Sequence, residues 1–157
     1  YGNPFYLPYT LFAYNSVYRF YNSVTQALVE PYATRLPPLF DGRHSDAQIN
    51  AEMPTVPSLI LRPEFLQAFK SDPNHPFRQG LRRNDLYNWR PVAPMRLYHC
   101  AGDRTVPQIN SAIARNQFHT NGATHVLLSD PFPVGDHGSG APFCFASAKQ
   151  WFDSVKQ

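Results

Sequence analysis

Apolar residues in the first part of the chain recur with a helical period and are interrupted by prolines. The longest stripe is mostly apolar, has spacings of three and four, and comprises Leu11, Tyr14, Tyr18, Tyr21, Thr25 and Leu28. This period predicts one long amphipathic helix. Pro8 suits its first turn, where a missing N–H loses no hydrogen bond, and Pro31 should end or kink it. The tyrosines of this stripe either pack the helix against its neighbours or line an acyl or aryl pocket.

Shorter helices follow between further prolines. Ser45 and Gln48 have the spacing of a capping box, which predicts a short helix that stops before Pro54. Two more helices are predicted, one over residues 63–70 and one from Pro76 onward. This part of the chain contains no convincing strand pattern, so we expect it to be mainly helical.

The pattern changes after the prolines at positions 91 and 94. Short apolar runs that are typical of buried strands then alternate with a helical period. The predicted order is a strand at 95–101, a helix at 106–118, a strand at 124–129, a loop at 130–140 and a helix at 141–155. An alternation of strand, helix and strand is typical of an α/β fold with parallel strands.

Matched lengths bring Asp103 and His137 to the same edge of this sheet. The predicted helix is about 20 Å long at 1.5 Å per residue, and the following strand returns about 20 Å at 3.3 Å per residue. Asp103 follows the first strand and His137 lies in the loop after the second. Neighbouring strands are about 4.8 Å apart, so we expect the carboxylate and the imidazole to meet. Catalytic groups of open α/β sheets lie at this edge.

The segments around both residues resemble the α/β-hydrolase family. Gly102-Asp103 followed by Val106-Pro107 is similar to its acid-bearing segment, and Asp136-His137-Gly138 ahead of Trp151-Phe152 is similar to its histidine loop. Pro8-Tyr9-Thr10-Leu11 and Leu39-Phe40-Asp41-Gly42 resemble the cap of secreted bacterial and fungal lipases and esterases. The resemblance implies a helical cap or lid over residues 1–90. It also implies a C-terminal segment of an α/β-hydrolase sheet, with parallel strands and flanking helices, over residues 91–157.

The same resemblance implies two thirds of a catalytic triad. His137 would be the general base and then the general acid, and Asp103 would orient it. The Gly-x-Ser-x-Gly elbow of the nucleophile is absent, because Gly138-Ser139-Gly140 lacks its spacing and follows the histidine. The serine would come from an N-terminal half of the same protein, so we expect this chain alone to be inactive. The substrate would be a small-molecule or lipid carboxylic ester, with no cofactor.

The sequence is also compatible with other acids and with other functions. Asp130, at the end of the second predicted strand, is a rival acid, and Asp136 is a weaker one because adjacent side chains rarely face each other. A serine peptidase on the same fold would need the same acid and base segments. A non-catalytic domain that keeps the hydrolase fold for binding is a third hypothesis.

Composition and charge narrow the class of protein. Of 157 residues, 43% are hydrophobic and 16% are charged, so we expect a globular domain. The net charge of +3 includes Arg78, Arg82 and Arg83, which favour a solvated helix face over a nucleic-acid groove. No apolar run approaches the 20 or so residues of a membrane span. The chain begins at Tyr1 and not at a methionine, so we expect a processed chain or part of a longer one.

The remaining histidines and the two cysteines complete the candidate chemistry. His99 is expected inside a strand as a packed or hydrogen-bonded residue, and the default for the others is a solvated role. No histidine spacing is typical of a metal site, so no metal is expected. Cys100 and Cys144 fit either one disulfide of an exported protein or two buried thiols. We expect a secreted or periplasmic protein.

Overall fold

The computed structural model describes residues 3–156 and contains two compact units, which divide after Asn84. The sequence pattern changes a few residues later, near the prolines at 91 and 94. No helix among the described residues is long and apolar enough to cross a membrane.

Over residues 3–84, the first unit is built from five helices. They are α1 (Tyr6–Tyr18), α2 (Tyr32–Arg35), α3 (Asp46–Ala51), α4 (Pro63–Ser71) and α5 (Pro76–Arg83). Three 3-10 turns connect them, at Val24–Gln26, Pro37–Leu39 and Pro57–Ile60. The unit is helical as predicted, and the strand-like pairing within residues 3–84 is a single bridge between Leu28 and Leu61.

The prediction that α1 continues to Pro31 is wrong. The helix ends at Tyr18, and Arg19 adopts a left-handed conformation with φ 55°. The side chain of Asn15 holds the chain that leaves the helix, because its Oδ1 accepts from the Tyr21 N–H at 3.0 Å and its Nδ2 donates to the Tyr21 carbonyl at 3.3 Å. The polar side chain of Asn15 thus binds the backbone of Tyr21 and ends the helix, although the apolar period continues beyond it.

The other helix predictions of this unit are confirmed. Ser45 caps α3, since its Oγ accepts from the Gln48 N–H at 3.3 Å while Gln48 Oε1 accepts from the Ser45 N–H at 2.8 Å. Helices α4 and α5 both carry proline in the first turn. Buried side chains from α1, α2, α5 and the connecting segments form one core, which comprises Leu11, Ala27, Leu28, Ala33, Leu36, Ile60, Leu61 and Phe77.

The second unit has the predicted order of elements and the predicted parallel pairing. It consists of β1 (Arg96–Tyr98), α6 (Ile109–Thr120), β2 (Leu127–Ser129) and α7 (His137–Val155). The two strands are parallel, and Leu97 pairs with Leu128. Helix α6 packs against β2 and helix α7 against β1. Phe118, Ala123 and Val126 form the buried core, with Leu97 and Ala114 packed against it.

The starts of both helices in this unit differ from the prediction. Helix α6 begins at Ile109 and not at Val106, and the N–H groups of Thr105 and Val106 in the turn before it donate to the Asp103 carboxylate. Helix α7 begins at His137 and not at residue 141. Asp136 caps it, with Oδ1 accepting from the Ser139 N–H at 2.8 Å. His137 is therefore the first helical residue and does not lie within a loop.

Candidate active site

Asp103 is held by the turn that follows β1. Its Oδ1 accepts hydrogen bonds from the Thr105 N–H at 2.9 Å and from the Val106 N–H at 2.8 Å. The Asp103 side chain is only 7% exposed. Two backbone donors thus occupy one carboxylate oxygen, fix the plane of the carboxylate and leave Oδ2 to face another group.

That other group is the imidazole of His137. The distance from His137 Nδ1 to Asp103 Oδ2 is 2.8 Å, although 34 residues separate the two in the chain. The structure therefore brings together the two residues that the strand and helix lengths placed at one sheet edge. Helix α7 positions His137 at its N-terminus, and the Asp136 cap determines where that helix begins.

The electrostatics of the turn keep Asp103 ionised at neutral pH. Burial by itself raises the pKa of the carboxyl group, because it disfavours the charged form. The hydrogen bonds from Val106, His137 and Thr105 favour the charged form, and together they outweigh burial, so the pKa lies below its ordinary value. The group is a carboxylate that accepts hydrogen bonds at both oxygens.

This arrangement determines the tautomer of His137. An ionised carboxylate only accepts hydrogen bonds, so Nδ1 carries the hydrogen that is donated to Oδ2. In the neutral ring, Nε2 then has a free lone pair. The His137 side chain is 57% exposed, so Nε2 is accessible to a group that must lose a proton.

The two rival acids have other partners. Asp130 accepts from the N–H of Ala101 at 3.1 Å and from the N–H of Phe132 at 3.2 Å, so it ties the ends of the two strands together. Asp136 caps α7. The carboxylate that meets His137 Nδ1 in the structure is that of Asp103 and not either of these.

Two further histidines have unexpected surroundings or partners. The expectation of a solvated role is wrong for His75, which is 8% exposed. Its Nδ1 accepts from the Phe77 N–H, and its ring lies edge-on against Phe65 and Phe69. Desolvation lowers the pKa of His75, so the buried ring is neutral. His119 donates from Nε2 to the Val126 carbonyl at 2.7 Å.

The two cysteines lie beside the Asp103–His137 pair. The Sγ atoms of Cys100 and Cys144 are 3.7 Å apart, and both residues are free thiols here. Burial is the larger cause and the Cys100 thiol the next in raising the pKa of Cys144 to about 11. Among residues 3–156, no group of three or more potential metal ligands is assembled.

An open pocket of about 300 Å³ surrounds the pair. Its walls come from the end of β1, the acid turn and the first two turns of α7. The lining residues are Tyr98, His99, Cys100, Asp103, Val106, Asp136, His137, Gly140, Ala141, Cys144 and Phe145. The first unit has its own cavity of about 490 Å³, lined in part by Tyr9, Phe12 and Phe40.

The groups that hold the Asp103–His137 pair in place give little signal in the sequence. His99 Nε2 lies 3.5 Å from Asp103 Oδ2. The position of His99 four residues before Asp103 was the one feature of the sequence that could have indicated this proximity. The Thr105 and Val106 donors are backbone N–H groups, which carry no residue-type signal at all. A helix cap at Asp136 could have been found, because Asp136 and Ser139 have capping-box spacing.

Comparison with solved structures identifies the fold. A protein from Legionella pneumophila assigned as a hydrolase matches 96% of this chain with a TM-score of 0.86 at 24% identity. The rice cell wall degrading esterase LipA from Xanthomonas oryzae matches 90% of it, with a TM-score of 0.73 at 30% identity. A point mutant of LipA matches 94% with a TM-score of 0.77 at 29% identity. No protein-family model matches the sequence, and no curated protein is significantly similar to it.

These matches confirm the resemblance to hydrolases at the level of the fold. The chain has a hydrolase-like fold that is helix-rich and contains a small parallel sheet. It spans 40% of the Legionella chain, 37% of LipA and 42% of the LipA mutant. The chain therefore corresponds to less than half the length of the hydrolases that it matches.

Proposed function

We propose that this chain is the C-terminal portion of a serine hydrolase that cleaves carboxylic esters. The observation that carries the proposal is the 2.8 Å contact between His137 Nδ1 and a buried, ionised Asp103. A carboxylate that fixes one imidazole nitrogen leaves the other free to take a proton from a hydroxyl nucleophile. The match to LipA, an esterase, favours esters as the substrate class.

In the proposed mechanism, His137 Nε2 removes the proton of a serine hydroxyl while the serine oxygen attacks the ester carbonyl. Asp103 stabilises the imidazolium that forms, because its charge lies 2.8 Å from Nδ1. The imidazolium then gives its proton to the departing alcohol. Water repeats the sequence on the acyl-enzyme and regenerates the serine. No cofactor takes part in these steps.

The serine is proposed to lie in a preceding segment of the same protein. The printed sequence has no Gly-x-Ser-x-Gly, and the chain matches only 37% to 42% of the length of LipA. A two-stranded sheet also leaves large apolar side chains uncovered, among them Phe145 at 75% and Leu127 at 46% exposure. Further strands and helices of the preceding segment would cover such residues.

The first unit is proposed to be the cap of the enzyme, and the protein is proposed to be secreted or periplasmic. Both proposals rest on the resemblance of the first unit to the caps of secreted lipases and esterases. Fractionation of the producing cells tests the second one, since a cytoplasmic location would contradict it.

The function is tested with the full-length protein. We expect hydrolysis of p-nitrophenyl esters, a loss of about 10⁴-fold or more in kcat for His137→Ala, and covalent labelling of one serine by a fluorophosphonate. Peptide mass mapping should place that serine in a Gly-x-Ser-x-Gly sequence. Faster cleavage of aminoacyl anilides would instead identify a peptidase. No turnover and no labelling would support a binding module.

A further inference from the structure

His99 directly follows β1, four residues before Asp103, and its side chain is 12% exposed. Its backbone is held on both sides. The His99 N–H donates to the Ser129 carbonyl at 3.0 Å and continues the pairing of β1 with β2. The His99 carbonyl accepts from Gln108 Nε2 at 2.7 Å. The backbone from which the His99 side chain extends is therefore fixed to the sheet.

The imidazole of His99 spans the turn that carries Asp103. Its Nε2 lies 2.7 Å from the Val106 carbonyl, and its Nδ1 lies 2.7 Å from Ser111 Oγ in helix α6. A carbonyl oxygen only accepts, so Nε2 carries the hydrogen. In the neutral ring, Nδ1 then accepts from the Ser111 hydroxyl. One side chain thus connects β1, the acid turn and α6.

Val106 is also the residue whose N–H holds Asp103 Oδ1, at 2.8 Å. His99 therefore holds Val106 by its carbonyl oxygen, and Val106 in turn holds Asp103 by its N–H. In addition, His99 Nε2 lies 3.5 Å from Asp103 Oδ2, which is the oxygen that faces His137. The N–H dipole of His99 is close enough to this oxygen to share in balancing its charge.

From these contacts we propose that His99 is a positioning residue for the Asp103–His137 pair. This inference rests on the proposed hydrolase function, since it assigns His99 a part in the same reaction. His99 acts through Asp103: it keeps the carboxylate oriented so that Oδ2 points at His137 Nδ1. A displacement of about 1 Å in such a pair lowers turnover by up to about 100-fold. The backbone N–H groups still hold Asp103 when the His99 ring is removed, so its loss should lower kcat by less than this, by about tenfold.

Three variants of the full-length protein separate positioning from packing. His99→Leu keeps a similar volume and removes both ring nitrogens, whereas His99→Gln keeps an N–H donor within reach of the Val106 carbonyl. His119→Leu is the matched control. It breaks a histidine–carbonyl hydrogen bond of the same 2.7 Å length in the same unit, to Val126 instead of Val106.

The readouts are kcat, KM and the pH profile of kcat/KM on a p-nitrophenyl ester, together with an NMR titration of ¹⁵N-labelled His137. Without the His99 brace, Asp103 Oδ2 is held less firmly against His137 Nδ1 and stabilises the His137 imidazolium less. The acidic limb of the profile and the NMR titration of His137 should therefore both move to lower pH in His99→Leu. The other titratable residues around the pair are not substituted in any variant. They are Tyr98, Cys100, Asp130, Asp136 and Cys144.

We expect His99→Leu to lower kcat about tenfold with little change in KM, and His99→Gln to recover most of it. His119→Leu should match the wild-type pH profile. Wild-type kcat and an unshifted His137 titration in His99→Leu would overturn the inference, as would an equal effect in His119→Leu. Should His99→Leu fail to fold, Ser111→Ala removes one partner of the ring and should lower kcat about two- to fivefold. An unchanged kcat in that variant overturns the inference too.

Failure of the proposed function has a different signature. A wild-type protein without esterase activity, or a His137→Ala variant with full activity, refutes the hydrolase assignment. The NMR titration of His137 needs no turnover, so it still decides whether His99 acts on the pair.

Discussion

The two oxygens of the Asp103 carboxylate have separate partners. Oδ1 accepts from the backbone N–H groups of Thr105 and Val106, and Oδ2 lies 2.8 Å from His137 Nδ1. The turn after β1 thus holds the carboxylate by one oxygen and presents the other to the imidazole. The backbone of this turn therefore fixes the orientation of the carboxylate.

Asp103→Asn should lower kcat of the full-length enzyme by about 10⁴-fold while the protein still folds. An amide in place of Oδ2 would present N–H to Nδ1, so the imidazole would adopt the wrong tautomer. Steady-state kinetics with circular dichroism checks both parts. Asp130→Asn is the matched control, and we expect a loss of less than tenfold. An equal loss in Asp130→Asn would assign the acid to Asp130.

The stabilising contribution of Asp103 should disappear in acid. The folded-state pKa of Asp103 is lowered, since the hydrogen bonds from Val106, His137 and Thr105 outweigh the opposing effect of burial. Its contribution is therefore fully present above the unfolded pKa of about 3.9 and is lost as pH falls through the folded pKa. Urea unfolding should give a wild-type advantage over Asp103→Asn of about 1–3 kcal/mol at pH 7. That advantage should shrink below pH 4, and an increase on acidification would contradict this prediction.

Gly140→Ala should destabilise the protein, whereas Gly138→Ala should not. A Cβ at Gly140 would lie 2.7 Å from Cys100 Sγ and 3.2 Å from Cys100 Cβ, and Cys100 is buried. We expect a loss of about 1–3 kcal/mol in the free energy of unfolding. A Cβ at Gly138 meets only Asp136 Oδ1, at 3.8 Å, so alanine there should be neutral or gain up to about 1 kcal/mol.

A double variant tests whether contact with Cys100 causes the destabilisation expected for Gly140→Ala. Combining Gly140→Ala with Cys100→Ala removes the sulfur that the new methyl group would meet. The double variant should be less destabilised than the sum of the two single variants, as measured by thermal or urea unfolding. Strict additivity would show that the Gly140 effect has another origin.

Cys144 should react slowly with alkylating reagents in the folded protein. Desolvation by burial and the neighbouring Cys100 thiol raise its pKa to about 11, so at pH 8 only about one thiol in a thousand is ionised. Iodoacetamide labelling at pH 8, followed by mass spectrometry, should be about 100-fold slower than in urea. Absence of labelling in urea without reductant would show that Cys100 and Cys144 are joined as a disulfide.

Elements whose signals are local were predictable. The capping box at Ser45 and the prolines at the starts of α4 and α5 act within one helical turn, so the residues themselves specify these helix starts. The order of β1, α6, β2 and α7 followed from a change in hydrophobic period. The parallel pairing followed because a helix of matching length joins the strands.

Elements that depend on distant partners were predicted less well. The chain leaves α1 at Arg19 because Asn15 binds Tyr21, and no periodicity contains that contact. His75 belongs to a loop by its neighbours in sequence, yet Phe65 and Phe69 from α4 cover its ring. In both places the environment of a residue came from segments that local patterns cannot assign.

The candidate site also combines features that the sequence predicts with features that depend on contacts between distant segments. Residue types, spacing and element lengths by themselves determined that Asp103 and His137 share one sheet edge, since chain geometry limits where strands and helices end. Only the tertiary structure decided which aspartate meets the imidazole, which oxygen it uses and which side chain braces the turn. Those choices depend on ångström-scale contacts of Thr105, Val106 and His99, and such contacts arise only after the two strands and the two helices have packed.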